Sequence, residues 1–187
     1  AGAAMRRAEA KAKAWFAAAK PGDAPDGAAV LSALRELGDD WPTQARPNVT
    51  DTGRPVPGVC LGLVMAQGKG AVVTNATQCF PELARFLVAW CAATLPKTRD
   101  GAAFPFSSLQ VNYNYAAIKH VDKNNLGPSY ILSLGEHEGG ALWTADQGEL
   151  ACHGAWRLFN GTVEHATTPF TGRERISFIA FTHELYN

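Results

Sequence analysis

A chain of 187 residues, 47% apolar and 18% charged, has the composition of a globular domain long enough to bury a sizeable core. Lys plus Arg and Asp plus Glu both number 17, so no whole-chain field marks a nucleic-acid or acidic partner, which leaves only a local patch for such a role. The longest strongly apolar stretch, Phe86 to Leu95, is too short to span a bilayer, and no apolar signal region stands at the N-terminus. The expected location is therefore away from membranes: nuclear in a eukaryote, cytoplasmic otherwise.

Residues 5–20 are rich in Ala, Lys and Arg and predict a helix, broken by the prolines and glycine of 21–25. Its Arg6, Arg7, Lys11, Lys13 and Lys20 read as a solvated face that could also touch phosphates. Residues 28–37 predict a second helix, ended by Gly38. The stretch 41–57 carries Pro42, Pro47, Pro55 and Pro57 with little periodicity and reads as a loop. Residues 59–66 and 71–74 read as strands around a Gln67-Gly68-Lys69-Gly70 turn. The clearest helix is 81–95, with proline in its first turn. After Pro105 short β-type runs follow one another, at 109–115, 129–134, 141–144, 155–159 and 175–182. A helical front followed by many short strands predicts an α+β fold with a mainly β core, the helices of the N-terminal half packed on one sheet.

Cys60, Cys79, Cys91 and Cys152 contain no C-x-x-C pair and read as reduced, mostly buried thiols. The N-x-T sequons at Asn48, Asn75 and Asn160 would matter only in a secreted protein.

The chemistry concentrates in four positions. His120-Val121-Asp122 follows the 109–115 strand, His165 comes later, and Arg175 stands ten residues beyond it. Two histidines and one carboxylate form a facial triad, which leaves three positions of an octahedral Fe(II) open for a chelating co-substrate and dioxygen. On an extended chain the two side chains of H-x-D point the same way. A keto acid that chelates the iron presents a second carboxylate, and an arginine fork binds that group with paired, charge-assisted bonds. Ser177 has the parity of Arg175 and can add one more bond. His137, in the turn-like Gly135-Glu136-His137-Glu138-Gly139-Gly140, reads as exposed and outside the metal set.

Residues 105–187 resemble the 2-oxoglutarate/Fe(II) dioxygenases, and among them the TET/JBP group that oxidises 5-methylpyrimidines in nucleic acids. Four pieces carry this likeness in order: Pro105-Phe106-Ser107-Ser108, His120-Val121-Asp122-Lys123-Asn124-Asn125, His165-Ala166-Thr167-Thr168-Pro169, and Arg175-Ile176-Ser177 with His183 eight residues after the arginine. The resemblance implies a double-stranded β-helix (jelly-roll or cupin-like) core, and with a length that fits one domain the expectation is a single dioxygenase domain over 1–187, with 1–100 as a helical front with support strands and 101–187 as the iron-binding core. It implies Fe(II) on His120, Asp122 and His165, and 2-oxoglutarate on Arg175 and Ser177, with O2 as the second co-substrate. It implies that Asn125 and His183 read a flipped base, 5-methylcytosine in DNA being the expected substrate and RNA the open alternative. No obligate protein partner is expected. The first hundred residues carry no such likeness, and the cysteine-rich front of the animal proteins of the group is missing. No second arginine for the inner carboxylate is identifiable, so Asn112 and Asn114 stand as candidates to help hold the co-substrate. A protein or small-molecule hydroxylase on the same iron core is the rival reading.

Overall fold

The computed structural model describes residues 1–184. Helix α1 (Gly2–Ala18) buries Ala4, Met5, Ala8 and Ala12, a stripe at helical spacing whose small side chains allow close approach. Helix α2 (Gly27–Leu34) is capped by Asp26, which accepts from the Ala29 amide at 2.8 Å, and runs into a single 3₁₀ turn, Arg35–Leu37. The proline-rich stretch is not wholly irregular. It holds a two-residue strand, β1 (Thr43–Gln44), and the start of β2 (Val56–Ala66). Strand β3 (Gly70–Val73) and the short helix α3 (Asn75–Cys79) lead to α4 (Pro81–Thr94). Pro81 opens α4, and the Glu9 carboxylate of α1 accepts the free amides of Glu82 at 3.0 Å and Leu83 at 2.6 Å. A carboxylate at a helix N-terminus satisfies orphan donors and opposes the helix dipole, so it ties the two helices together.

Nine strands follow: β4 (Ser108–Tyr113), β5 (Ser129–Leu134), β6 (His137–Gly139), β7 (Leu142–Thr144), β8 (Gly148–Leu150), β9 (Arg157–Phe159), β10 (His165–Thr167), β11 (Phe170–Gly172) and β12 (Ile176–Phe181). The main sheet runs β1-β2-β4-β12-β5-β9 with β3 on β2, and all its pairings are antiparallel. Smaller antiparallel sheets, β10-β7-β8 and β11-β6, make up the rest.

Alternation sorts the residues of the main sheet. Val59, Leu61, Leu109, Val111, Leu132, Ile176, Phe178 and Ala180 join the buried residues of α1, α2 and α4 in one core. Cys60, Gln110, Asn112, Ile131, Ser177 and Ile179 line a cleft on the opposite face. The architecture is thus mixed, mostly antiparallel, with N-terminal helices on one face of a sheet, as composition and patterning predict. The phosphate-contact role of α1 loses two of its cations, because Arg7 and Lys11 both pair with Glu36. All four cysteines are free, and only Cys79 is exposed.

Candidate metal centre

His120 and Asp122 lie beyond the end of β4, in a segment that hydrogen bonds to the chain on both sides. The Ile118 amide donates to Val49, the Asp122 amide donates to Gly161 at 2.8 Å, and His120 and His165 exchange backbone bonds of 3.0 Å as an isolated bridge. The bridge sets the two imidazole rings side by side, with centroids 4.3 Å apart. Each histidine bonds through Nδ1 to the carbonyl two residues before it, Ile118 or Val163, at 2.7 Å. A carbonyl only accepts, so each Nδ1 carries a proton, and in the neutral ring each Nε2 keeps its lone pair. Those Nε2 atoms lie 3.7 Å and 3.5 Å from the two carboxylate oxygens of Asp122.

One ligand atom from each of the three residues falls within 4.8 Å of the other two, the donor set a divalent metal needs. Among the described residues no other His, Cys, Asp and Glu cluster meets this condition. Burial pushes the His120 imidazolium down in pKa, and the neighbouring His165 adds to it. Burial pushes the Asp122 carboxyl up, but the hydrogen bond and charge of His165 outweigh it and hold it below the usual carboxylate range. His165 is raised: burial opposes its charge, and the Asp122 carboxylate prevails. Two imidazoles whose outer nitrogens are already engaged, facing one carboxylate, fit Fe(II) by donor chemistry and by tautomer.

The three residues open onto a cleft of about 670 Å³, the size of a small-molecule site. Ser177 and Asn112 line it, joined by a 3.3 Å bond from the Asn112 amide to the Ser177 hydroxyl. The Asn112 carbonyl oxygen is already occupied. It accepts from Gln110 at 3.0 Å, from the Tyr115 hydroxyl at 2.8 Å and from Arg46 at 3.3 Å, so it orients these groups. Asn114 does not enter the cleft. Its side chain accepts from the Arg175 amide at 2.7 Å, and it sits at φ 50°, a left-handed conformation that asparagine tolerates. That residue breaks the strand's alternation, which is why Tyr115 reaches the cleft while Tyr113 stacks on Trp41 beneath the helices.

Arg175 precedes β12 and is only 2% exposed. Its guanidinium donates twice to the Gly140 carbonyl, at 2.8 and 3.2 Å, and reaches the Cys152 sulfur at 4.0 Å, yet it forms no ion pair among the described residues. Burial opposes its charge, but an arginine stays protonated in a protein, so a buried cation is left without an anion. Arg46 is the group the sequence reading did not identify. It lines the cleft, pairs with no carboxylate among the described residues, and acts electrostatically on all three triad residues. Arg46 donates to the Tyr115 hydroxyl at 3.1 Å, and the charges of both arginines act on that group. Nothing in the local sequence of Arg46, inside a proline-rich stretch far from the triad, announces this position.

Asn125 and His183 both line the cleft and face each other across an isolated antiparallel bridge. The Asn125 amide lies 3.5 Å from the Asp122 carboxylate, nearer the metal ligands than its assignment to a base requires. Burial lowers the pKa of His183, and its Nδ1 is buried without a partner among the described residues. Cys60 also borders the cleft, but burial pushes its thiol up to about 11, which rules it out as a neutral-pH nucleophile. His137 departs from expectation. It is buried, stacked on His153 with centroids 3.9 Å apart, and bonded to Ser133 and the Gly139 carbonyl behind Arg175. Its turn-like flanks form β6, which pairs with β11 and covers the ring.

No protein-family model and no curated protein matches the chain in sequence. In structure it is similar to an oxidoreductase of the 2OG-Fe(II) oxygenase family from Burkholderia pseudomallei, at 17% identity and a TM-score of 0.50 over 81% of this chain and 77% of that one. It is also similar to NgTET1 in complex with 5mC DNA, at 13% identity and a TM-score of 0.52 over 97% of this chain and 90% of that one. At such identities the likeness speaks to the backbone, and the chain has the fold shared by its 2OG-Fe(II) oxygenase neighbours.

Proposed function

We propose that the chain is a single-domain Fe(II)/2-oxoglutarate-dependent dioxygenase on a double-stranded β-helix, and that it oxidises the 5-methyl group of 5-methylcytosine in DNA. The observation that carries the oxygenase reading is the His120–Asp122–His165 cluster, together with a buried Arg175 that forms no ion pair among the described residues. His120, Asp122 and His165 would hold the metal. Two cations without anions, Arg175 and Arg46, suit the two carboxylates of a keto diacid. Arg175 and Ser177 would take the outer carboxylate, while Asn112 keeps Arg46 and Tyr115 in place for the inner end. Fe(II), 2-oxoglutarate and dioxygen together supply the oxidising chemistry when bound.

For the substrate, the support is the pair Asn125 and His183 on one side of the cleft. An imidazole whose pKa is lowered by burial, lining the cleft opposite a side-chain amide, suits the polar edge of a base. The similarity to a structure solved with 5mC DNA points the same way. The base must leave the duplex to reach the cleft, at a cost of roughly a few kcal/mol. Lys123 at the rim and the exposed Val121 and Leu126 beside it offer a cation and apolar surface to the strand. A protein or small-molecule hydroxylase is the second reading, favoured by the turn of the Asn125 amide toward Asp122.

The test is nucleoside mass spectrometry after incubating methylated DNA and RNA with the protein, Fe(II) and 2-oxoglutarate. Oxidised 5-methylcytosine from DNA is expected. His183→Ala should lower kcat/KM on DNA by about 5- to 150-fold, one lost contact of about 1–3 kcal/mol, while uncoupled conversion of 2-oxoglutarate to succinate persists. Turnover of 2-oxoglutarate with 5-methylcytosine and thymine left untouched in both polymers refutes the nucleic-acid reading and keeps the oxygenase.

A further inference from the structure

Gly161 occupies the tightest point behind the metal carboxylate. A Cβ built on it would lie 3.0 Å from the Asp122 Oδ2 and 3.0 Å from the Asn125 Nδ2, closer than side chains ordinarily pack. Its φ lies outside the left-handed region, so the backbone there does not require glycine. The need is for space. The same residue's carbonyl accepts the Asp122 amide at 2.8 Å, which fixes the backbone of the ligand from the same side. Asn125 meets the same oxygen, with its amide 3.5 Å from Asp122 Oδ2.

We infer that Gly161 and Asn125 form the seat of the Asp122 carboxylate, and that they are positioning residues for the metal. This rests on the metal reading above. Asp122 is the sole anionic ligand in the triad, and its two oxygens are related to two different imidazoles, so its rotation decides how the three donors converge. The Asn125 amide has two N–H groups. One is directed at Asp122, which leaves the other for whatever enters the cleft. A group placed to meet the substrate therefore also orients the ligand, and outer residues of this kind change metal affinity by roughly 10- to 100-fold.

The experiment is Co(II) titration of the metal-free protein, followed by visible absorption, with the thermal midpoint of each metal-free variant as a control. Wild type should take one Co(II). Gly161→Ala and Asn125→Ala should weaken Co(II) by about 10-fold or more and alter the shape of its visible band. His183→Ala, which shares the cleft but does not touch Asp122, should keep wild-type affinity and spectrum. Gly161→Ala removes unfolded-chain freedom at a permissive φ, so a folded variant with an unchanged or raised midpoint and poor Co(II) binding separates positioning from general damage. Should Gly161→Ala fail to fold, Asn125→Ala decides the matter by the same two measurements. Wild-type Co(II) affinity and spectrum in the folded variants overturn the proposal. A wild type that takes no Co(II) overturns the metal reading as well.

Discussion

The two faces of the main sheet share strands and register but not chemistry. On the helix-covered face, Leu109, Val111, Ile176, Phe178 and Ala180 are all buried at 1% exposure or less, and Phe178 packs edge-on against Trp90 at 4.7 Å. On the cleft face the positions between them are Gln110, Asn112, Ser177 and Ile179, and the three polar ones are linked by hydrogen bonds, with Arg46 on Asn112. The first face is complete in itself. The second is complete only with ligands, because an unpaired buried charge costs what a bound anion returns. Side chains alternate across a strand, so one sheet can serve stability and chemistry without either set of residues entering the other.

The largest effect should come from the cleft. His165→Ala removes one of the three proposed ligands, and we expect turnover to vanish and metal content to fall well below one per chain, read by metal analysis and succinate formation. The denaturation midpoint of the metal-free protein should change little. A variant with full metal content and activity would show the triad assignment to be wrong. The converse test lies on the helix face. Phe178→Ala should cost about 3–5 kcal/mol in chemical denaturation, since it empties the contact with Trp90. Whatever fraction folds should retain its triad; loss of metal at unchanged stability would erase the division between the faces.

Arg175 sharpens the comparison, because it is as buried as the core yet immediately precedes β12 with the parity of Ser177, which lines the cleft. Arg175→Ala should raise the apparent KM for 2-oxoglutarate by roughly 30-fold or more, from an interaction of about 2–5 kcal/mol. Arg175→Lys keeps the charge but loses the fork and should rescue in part. An unchanged dependence on 2-oxoglutarate in both variants would point to another co-substrate.

The smallest effect concerns His137, behind Arg175. Burial, with the charges of His153 and Arg175, lowers it from 6.5 to about 4. The folded state therefore holds this ring neutral where the unfolded chain would protonate it. Its contribution is fully present above pH 6.5 and is lost as pH falls from 6.5 toward about 4. Thermal midpoints over that window should fall less steeply for His137→Gln than for wild type. Identical slopes would mean that the ring is not held neutral by the fold.

What could be read in advance follows the length and regularity of the pattern. Strand β5 spans 129–134 as expected and α4 ends one residue before its expected 95, because long apolar runs with a clear turn or proline at their borders leave little choice. The three-residue strands β6, β8, β10 and β11 could not be read, since three residues are too few to show alternation and only pairing defines them, with neighbouring β7 for β8 and with distant strands for the others. His137 was misplaced for that reason. Its glycine-rich flanks signal a turn, and its burial depends on β11, more than thirty residues away in sequence.

The sequence by itself determined the donor set and its order. H-x-D, a later histidine and R-x-S specify ligand types, and the fold brings His120, Asp122 and His165 within reach of one metal ion. It also determined which face of each long strand is apolar. Tertiary structure alone decided the rest. It carried Arg46 from a proline-rich stretch into the cleft, turned Asn114 onto the backbone of Arg175, and set Glu9 at the start of α4. These are contacts between segments dozens of residues apart, with no local pattern to announce them. A motif records what a side chain can donate or accept, and only the packed chain settles which partner stands within three ångströms of it.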